Sequence, residues 1–365
     1  MHVRHDGAVL VHDYLTQRGG AERVVLALAK ALPGAPLVTS LYQPDQTFPD
    51  LCSLDIRTGP LQHLGVLRRH HRIGLPVYAP AFSACHIDAP LTLCSTSGWA
   101  HGVHVTGRKV LYVYTPARWL YDAHGYLGER HRLVARGLVR ATAPLRSWDH
   151  RAARSADRVL AISMRAARRI RDVWGLDAEV LHPPHAAVPE GPAIAPPGID
   201  GPGFLLLVAR LLPYKAVDVV LAAMEELSDH YLVVVGDGPE RARLEQLRPR
   251  NAMLLGRVGD AELRWLFLNC LALVSAATED FGLSALEAMA YGKPVVVLRA
   301  GGFEETVVEG ETGVFFDVAE PAAVAVAVRR AMSAEWDRTR LCSHASRFCE
   351  EAFVQRVRDV VAETL

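Results

Sequence analysis

The sequence predicts an α/β protein made of two Rossmann-like domains that face each other across an interdomain cleft. Three observations carry that expectation. Short apolar runs, suited to strands buried on both faces, alternate with longer stretches of helical periodicity. The alternation breaks once, at LHPPHAAVPEGPAIAPPGIDGPG (181–203), where prolines and glycines are too dense for helix or strand to persist. The chain has 365 residues, 50% hydrophobic and 22% charged, which is enough for two cores of ordinary size.

The elements follow in order. AVLVH is a strand, the Gly-Gly stretch after it a loop, and AERVVLALAKAL a helix with apolar residues at helical spacing. PLVTSL, LTLCS (91–95), VLYVY (110–114) and RVLAIS (158–163) read as further strands, with an Arg-rich helical stretch around 129–154. Past the Pro/Gly run, FLLLVA (204–209), YLVVVG (231–236), MLLG, LALVSA (271–276) and PVVVL (294–298) alternate with helices from about 217, after GDGPE, from 260 and after FGL. This places an N-terminal domain at 1–185, a linker at 186–203 and a second domain at 204–346.

Composition excludes several classes. Forty basic and forty acidic residues cancel, and aromatic and basic residues are not interleaved, so nucleic acid is not an expected partner. The six cysteines stand singly, without C-x-x-C pairs, and read as reduced thiols rather than metal ligands. The sequence shows neither a signal-peptide pattern nor an apolar run of membrane-spanning length, so a cytoplasmic protein is expected.

Open α/β sheets bind ligands beyond the carboxyl ends of their strands. In the second half three stretches lie there: ARLLPYK, GDGPE and ATEDFGLSALE. Arg210 and Lys215 could converge on a diphosphate, or be two solvated cations beside a turn. Ser284 and Glu287 fit a capping box, which leaves Glu279, before Phe281 and Gly282, unexplained. A glycine turn and a helix N-terminus favour anions, while nearby carboxylates accept hydrogen bonds from sugar or ribose hydroxyls. Diphosphate, ribose and hexose together make a nucleotide sugar. GDGPER starts like a dinucleotide fingerprint but has arginine where the third glycine belongs.

These residues resemble a known family. ARLLPYK, VVGDGPE, LLGRV and EDFGLSALEAMAYGKPVVVLRAGGFEETVVEGETGVFF look like the donor domain of family 4 glycosyltransferases of the GT-B fold, with Glu279 and Glu287 matching the E-x7-E motif. VHDYLTQRGGAERVV, CSTSGWAHGV and YVYTPARWLYD resemble the bacterial mannosyltransferase branch, so that the likeness covers nearly the whole chain.

The resemblance implies that Arg210 and Lys215 hold the donor diphosphate, that Glu287 binds the ribose, and that Glu279 meets the hexose together with the backbone of Phe281, Gly282 and Leu283. Gly20 would offer a bare N–H to the phosphates, and the backbone near Val258 would line the nucleobase pocket. Asp13, Tyr114, Arg118 and Asp122 are the acceptor-side candidates, with Tyr114 where the branch commonly has histidine. His101 is a further catalytic candidate; a packed or solvated histidine is the alternative. A C-terminal helix, 347–365, would cross back to the first domain.

The implied activity is retaining transfer of a hexose such as mannose from a nucleotide-diphospho sugar to a saccharide or lipid-linked acceptor. The sequence has no D-x-D, so neither metal nor cofactor is expected; the two cations take the metal's role. A GT-B epimerase, a non-catalytic nucleotide-sugar binder and an NAD-dependent oxidoreductase are the alternatives. The arginines between 130 and 171, with HLGVLRRHHRIGL (63–75), read either as a solvated surface or as a peripheral contact with anionic lipid at the inner face of the membrane.

Overall fold

The computed structural model describes residues 1–69, 74–121, 142–187, 189–199 and 201–365. The chain divides into two compact units, Met1–Pro184 with Glu350–Leu365, and His185–Cys349.

The first unit contains β1 (His2–Arg4), β2 (Ala8–His12), β3 (Leu37–Thr39), β4 (Ile56–Thr58), β5 (His86–Asp88), β6 (Leu91–Thr96), β7 (His104–Val105), β8 (Arg108–Val113), β9 (Arg158–Ala161) and β10 (Glu179–Val180). Seven of these form a sheet in the order β4-β3-β2-β6-β8-β9-β10, every pair parallel. Its order reverses between β2 and β6. All six residues of β6 are buried, as a central parallel strand covered on both faces requires. The strands β1, β5 and β7 form a separate small parallel sheet.

The helix Gly20–Ala31 turns Val24, Val25, Ala27, Leu28 and Ala31 inward, an apolar stripe of helical period. The C-terminal helix Glu350–Thr364 belongs to this unit and packs on Gly20–Ala31. It buries Phe353, Val357 and Val360, and the Phe353 ring stands edge-on to Tyr112 with centroids 5.7 Å apart. Beside that stripe Arg158 bonds Glu179 at 2.6 Å and Glu363 at 2.8 Å, and Arg356 bonds the same two carboxylates at 2.6 and 3.0 Å.

The second unit is one sheet of β11 (Phe204–Val208), β12 (Leu232–Val235), β13 (Ala252–Gly256), β14 (Cys270–Ser275), β15 (Val295–Leu298) and β16 (Gly313–Phe316). The order is β13-β12-β11-β14-β15-β16, again all parallel. Leu205, Leu207, Val234, Val274 and Val296 form its core with Val220 and Leu221 of the helix Val217–Ala223 and Val324 and Val328 of the helix Pro321–Ser333. Strand order reverses between β11 and β14, the point beyond whose carboxyl ends open α/β sheets bind their ligands.

The Pro/Gly run forms neither helix nor strand among its described residues. From His185 on it lies on the second unit, where Ile194 N–H bonds Ala261 O at 3.1 Å and Gly203 N–H bonds Asn269 O at 2.9 Å. The Arg-rich stretch is helical over Ala143–Arg154, while residues 122–141, which include Asp122, lie outside the described residues, as do 70–73. No helix among the described residues is long and apolar enough to cross a membrane.

The attachment of the C-terminal helix is expected to depend on pH. Burial alone would raise the Glu179 carboxyl, but hydrogen bonds from Arg158 and Arg356 reverse this and hold it below its ordinary range. Hydrogen bonds from Arg158 and then Arg356 lower Glu363 as well. Depressed carboxylates contribute stability above their unfolded pKa, about 4.3, and lose it as pH falls through the lower folded values. Hydrogen exchange should show the amides of Glu350–Thr364 losing protection on acidification below about pH 4.5 before those of β6 and β8. Simultaneous loss would show that the ion network does not hold the helix.

Candidate active site

In the second unit the two loops flanking the strand reversal carry the charge. Ala209 to Ala216 follows β11, and Ala276 to Gly282 follows β14. Lys215 Nζ donates to Glu279 Oε1, joining the loops directly; the two side chains are 13% and 17% exposed. At that burial a Lys–Glu pair is partly shielded from screening and is worth more than an exposed one. Arg210 lies exposed on the same loop as Lys215. Ala216, the residue after Lys215, has φ 47°, the one positive value outside glycine among the described residues. Such backbone strain clusters where a loop is held for function.

Neighbouring strands brace both loops. Leu211 N–H bonds Asp237 O at 3.1 Å, and Glu240 N–H bonds Leu211 O at 3.2 Å, so GDGPE supports the loop after β11. It follows β12, one strand away from the reversal, whereas a dinucleotide fingerprint follows the first strand of its unit. The oxidoreductase reading loses its one motif. On the other side Gly302 N–H bonds Glu279 O at 2.9 Å, and a Cβ on Gly302 would lie 2.1 Å from Phe281 Cα. AGGF therefore fixes the backbone that carries Glu279.

Phe281 is buried edge-on to Phe348, 5.9 Å between centroids, so it offers a ligand its backbone rather than its ring. Gly282 takes φ 90° and is the N-cap of the helix Leu283–Ala290, with no side chain capping it. This corrects the capping-box expectation. Ser284 is the second residue inside the helix, too late to be its cap, so Glu287 is not a capping partner. It stands half-buried in the helix's second turn, while the Ala285 N–H of the first turn bonds Gly282 O at 3.1 Å. Val258 is half-buried two residues past β13, two strands from the reversal.

The first unit's reversal is filled by protein. The Asp13 carboxylate, just past β2, accepts from the N–H groups of Ser97, Trp99 and Ala100 at 2.7, 3.1 and 2.6 Å and from the Thr96 hydroxyl at 3.2 Å. It is a clamp on the loop after β6. His101 is fully buried, its Nδ1 3.1 Å from Thr96 Oγ1 and its Nε2 2.9 Å from Asp149 Oδ1. Asp149 also accepts from Tyr121 and Trp174 at 2.7 and 2.6 Å. The histidine reads as a packed core residue here, both ring nitrogens engaged away from solvent.

The buried Tyr114 hydroxyl donates to Ala21 O at 3.0 Å and lies 2.9 Å from Ser95 Oγ. Gly20 is exposed as the first residue of its helix, and Arg118 is half-buried at the start of the short helix Arg118–Tyr121. Sequence reasoning passed over His12, the last residue of β2. Its Nδ1 lies 3.0 Å from Ser95 Oγ and 3.1 Å from Ser95 O, and burial lowers its pKa, opposed by Asp13 and the Ser95 carbonyl. The signal was its place: a polar side chain ending the first apolar strand.

Comparison with known proteins bears on the family and the fold. Residues 194–348 match the family described as Glycosyl transferases group 1. The chain is 33% identical over 163 residues to a D-rhamnosyltransferase, WbpZ, of Pseudomonas aeruginosa, covering 42% of each protein. It is 33% identical over 253 residues to a D-inositol 3-phosphate glycosyltransferase of Acidothermus cellulolyticus, 57% of this chain and 54% of that one. A GDP-mannose-dependent alpha-mannosyltransferase of Corynebacterium glutamicum is 33% identical over 147 residues, 40% of this chain and 35% of that one. The chain spans about half the length of the curated relatives it matches, or less.

Among solved structures, sucrose-phosphate synthase from Thermosynechococcus elongatus superposes with a TM-score of 0.70 at 18% identity, over 98% of this chain and 99% of that one. Anabaena HepE in complex with UDP and glucose gives 0.66 at 19% identity, over 98% and 100%. The fold is that of the GT-B glycosyltransferases, α/β with parallel sheets. Within it, residues 194–348 are similar to the glycosyltransferase group 1 family, whose model matches them.

Two substitutions test these placements. His101→Ala should lower the unfolding free energy by roughly 2–4 kcal/mol in urea, because it strands Asp149 in the core. An exposed catalytic histidine would leave stability within about 0.5 kcal/mol. Gly302→Ala should cost about 1–3 kcal/mol through the clash with Phe281, whereas Gly310→Ala, where nothing lies within 4 Å, should cost less despite its φ of 75°.

Proposed function

We propose that the protein is a retaining glycosyltransferase that moves a hexose, mannose in the first instance, from a nucleotide-diphospho sugar to a saccharide or lipid-linked acceptor. The observation that carries this is the Lys215–Glu279 pair at the strand reversal of the group 1 domain. A diphosphate entering there replaces Glu279 as the counter-charge of Lys215. Glu279 is then released to accept hydrogen bonds from the hexose, so one exchange of partners equips the site for both halves of the donor.

Arg210 and Lys215 take the charge that grows on the leaving diphosphate. The N–H groups of Gly282 and Leu283 at the uncapped helix start add to it. Glu287 holds the ribose hydroxyls. The acceptor oxygen attacks from the face the diphosphate leaves, and a diphosphate oxygen receives its proton, which gives retention without a covalent enzyme intermediate. GDP-mannose is named as donor for one relative, while HepE was captured with UDP and glucose, so the base is the first property to measure.

In the first unit His12, Tyr114 and Arg118 gather at the carboxyl edge of the large sheet, the edge from which it would present an acceptor. A protein acting on lipid-linked saccharide would work at the inner face of the membrane, which fits the basic sequence of residues 63–72.

Thermal-shift titration with GDP, UDP and ADP should raise the melting temperature for one of them, and product analysis with the matching sugar should find transfer. A shift without transfer to any saccharide favours the binder or epimerase; no shift with any nucleotide sinks the proposal. Lys215→Ala should reduce kcat by about 10²–10³-fold with a smaller change in nucleotide Kd, because its interaction grows as charge develops. Equal losses in Kd at constant kcat would make the lysine a ground-state anchor.

A further inference from the structure

The first unit has a partly open cavity of about 300 Å³ between β3, the turn Pro60–His63 and the helix Leu75–Ser83. Val38, Leu61, Val77, Pro80 and Phe82 give it an apolar wall. The side-chain hydroxyls on that wall, Thr39 and Ser40, are already turned to protein: Thr39 Oγ1 donates to Leu41 O at 3.5 Å and Ser40 Oγ to Asp13 O at 2.5 Å. Their protons are committed to protein, so neither donates to a sugar, a base or a phosphate, and desolvating any of these among apolar side chains is unfavourable. The space suits carbon. It holds roughly ten methylenes at about 30 Å³ each, taking a methylene as the size of a water in the liquid.

The surroundings of the cavity say more about its occupant. Val77 both lines it and is 40% exposed, which puts an opening at that side chain. Leu64 and Val66, on the neighbouring segment, are 52% and 64% exposed. From Ile56 to Ile87 the sequence has no Asp or Glu, while it contains Arg57, Arg68, Arg69 and Arg72 and four histidines. An apolar opening in an acid-free, basic stretch complements an amphiphile with a hydrocarbon tail and an anionic head. Ser40, in the wall, hydrogen-bonds Asp13 at the sheet's strand reversal, so the cavity adjoins the edge to which the acceptor is assigned.

We propose that this cavity takes one hydrocarbon chain of a phosphate-bearing lipid, the lipid end of the acceptor. The assignment as acceptor rests on the transferase reading above; the chain site does not. A phosphate at the mouth meets the exposed Arg68, and the saccharide beyond it lies along the carboxyl edge of the sheet.

The probe is decyl phosphate, titrated calorimetrically below its micelle concentration into the full chain. Saturable binding at one site is expected, with decanol weaker and free mannose silent. Ala81→Phe and Val77→Phe fill the cavity from two positions and should each weaken decyl phosphate at least tenfold, with the nucleotide-induced melting shift unchanged as proof of folding. Arg68→Glu should weaken decyl phosphate but not decanol. Unaltered affinity in both filled variants, or binding to anionic vesicles with none to monomeric decyl phosphate, overturns the proposal. Decyl phosphate binding that the filled variants lose, in a protein that responds to no nucleotide, leaves the chain site standing and removes its role as acceptor site. Nucleotide response with no decyl phosphate binding removes the chain site and leaves the transferase reading standing.

Discussion

Six parallel strands whose order turns back on itself leave a gap at the turning point, because the connections on either side run away from one another. In the second unit that gap lies between β11 and β14, and the contact across it is an ion pair, Lys215 with Glu279. Everything proposed for the donor depends on this pair. An ammonium and a carboxylate held together with modest exposure are satisfied when no ligand is present, yet both can change partner when a diphosphate and a polyol arrive. Had the loops met through apolar side chains, the crevice would be shut; had they carried like charges, the loops would part.

The first unit offers the contrast. Its sheet also reverses, between β2 and β6, but there the Asp13 carboxylate is saturated by three backbone N–H groups and a hydroxyl. A buried carboxylate that takes four donors from one loop serves as a clamp. His101 and Asp149 continue the same buried network behind it. Two similar sheets thus spend their reversal points differently: one on internal rigidity, the other on exchangeable charge.

The supports of the charged loops are as specific as the charges. GDGPE and AGGF approach the backbone of ARLLPYK and EDFG so closely that side chains on the glycines would collide with carbonyl oxygens or Cα atoms. Such motifs look like ligand cradles in a one-dimensional reading, yet their work is to hold the neighbouring loop. Phe281 is similar: its ring anchors, and its backbone is what remains for a ligand.

The residues alone determined the alternation of apolar runs and helices, hence both parallel sheets, and they marked Arg210, Lys215, Glu279 and Glu287 as polar groups just past strand ends. Fully buried strands such as Leu91–Thr96 and Val295–Leu298 are legible because double-sided burial leaves no freedom of composition. Strands β1, β4, β5, β7 and β10 were not read, since they mix polar with apolar residues over two or three positions and are made by their neighbours' hydrogen bonds rather than by their own pattern. Tertiary structure decided which polar residues are spent inside. Asp13 and Glu279 each follow a strand at a reversal and look alike in sequence; only the loops folded over them make one a buried clamp and leave the other in an exchangeable pair, because hydrogen-bond saturation is a property of neighbours distant in the chain.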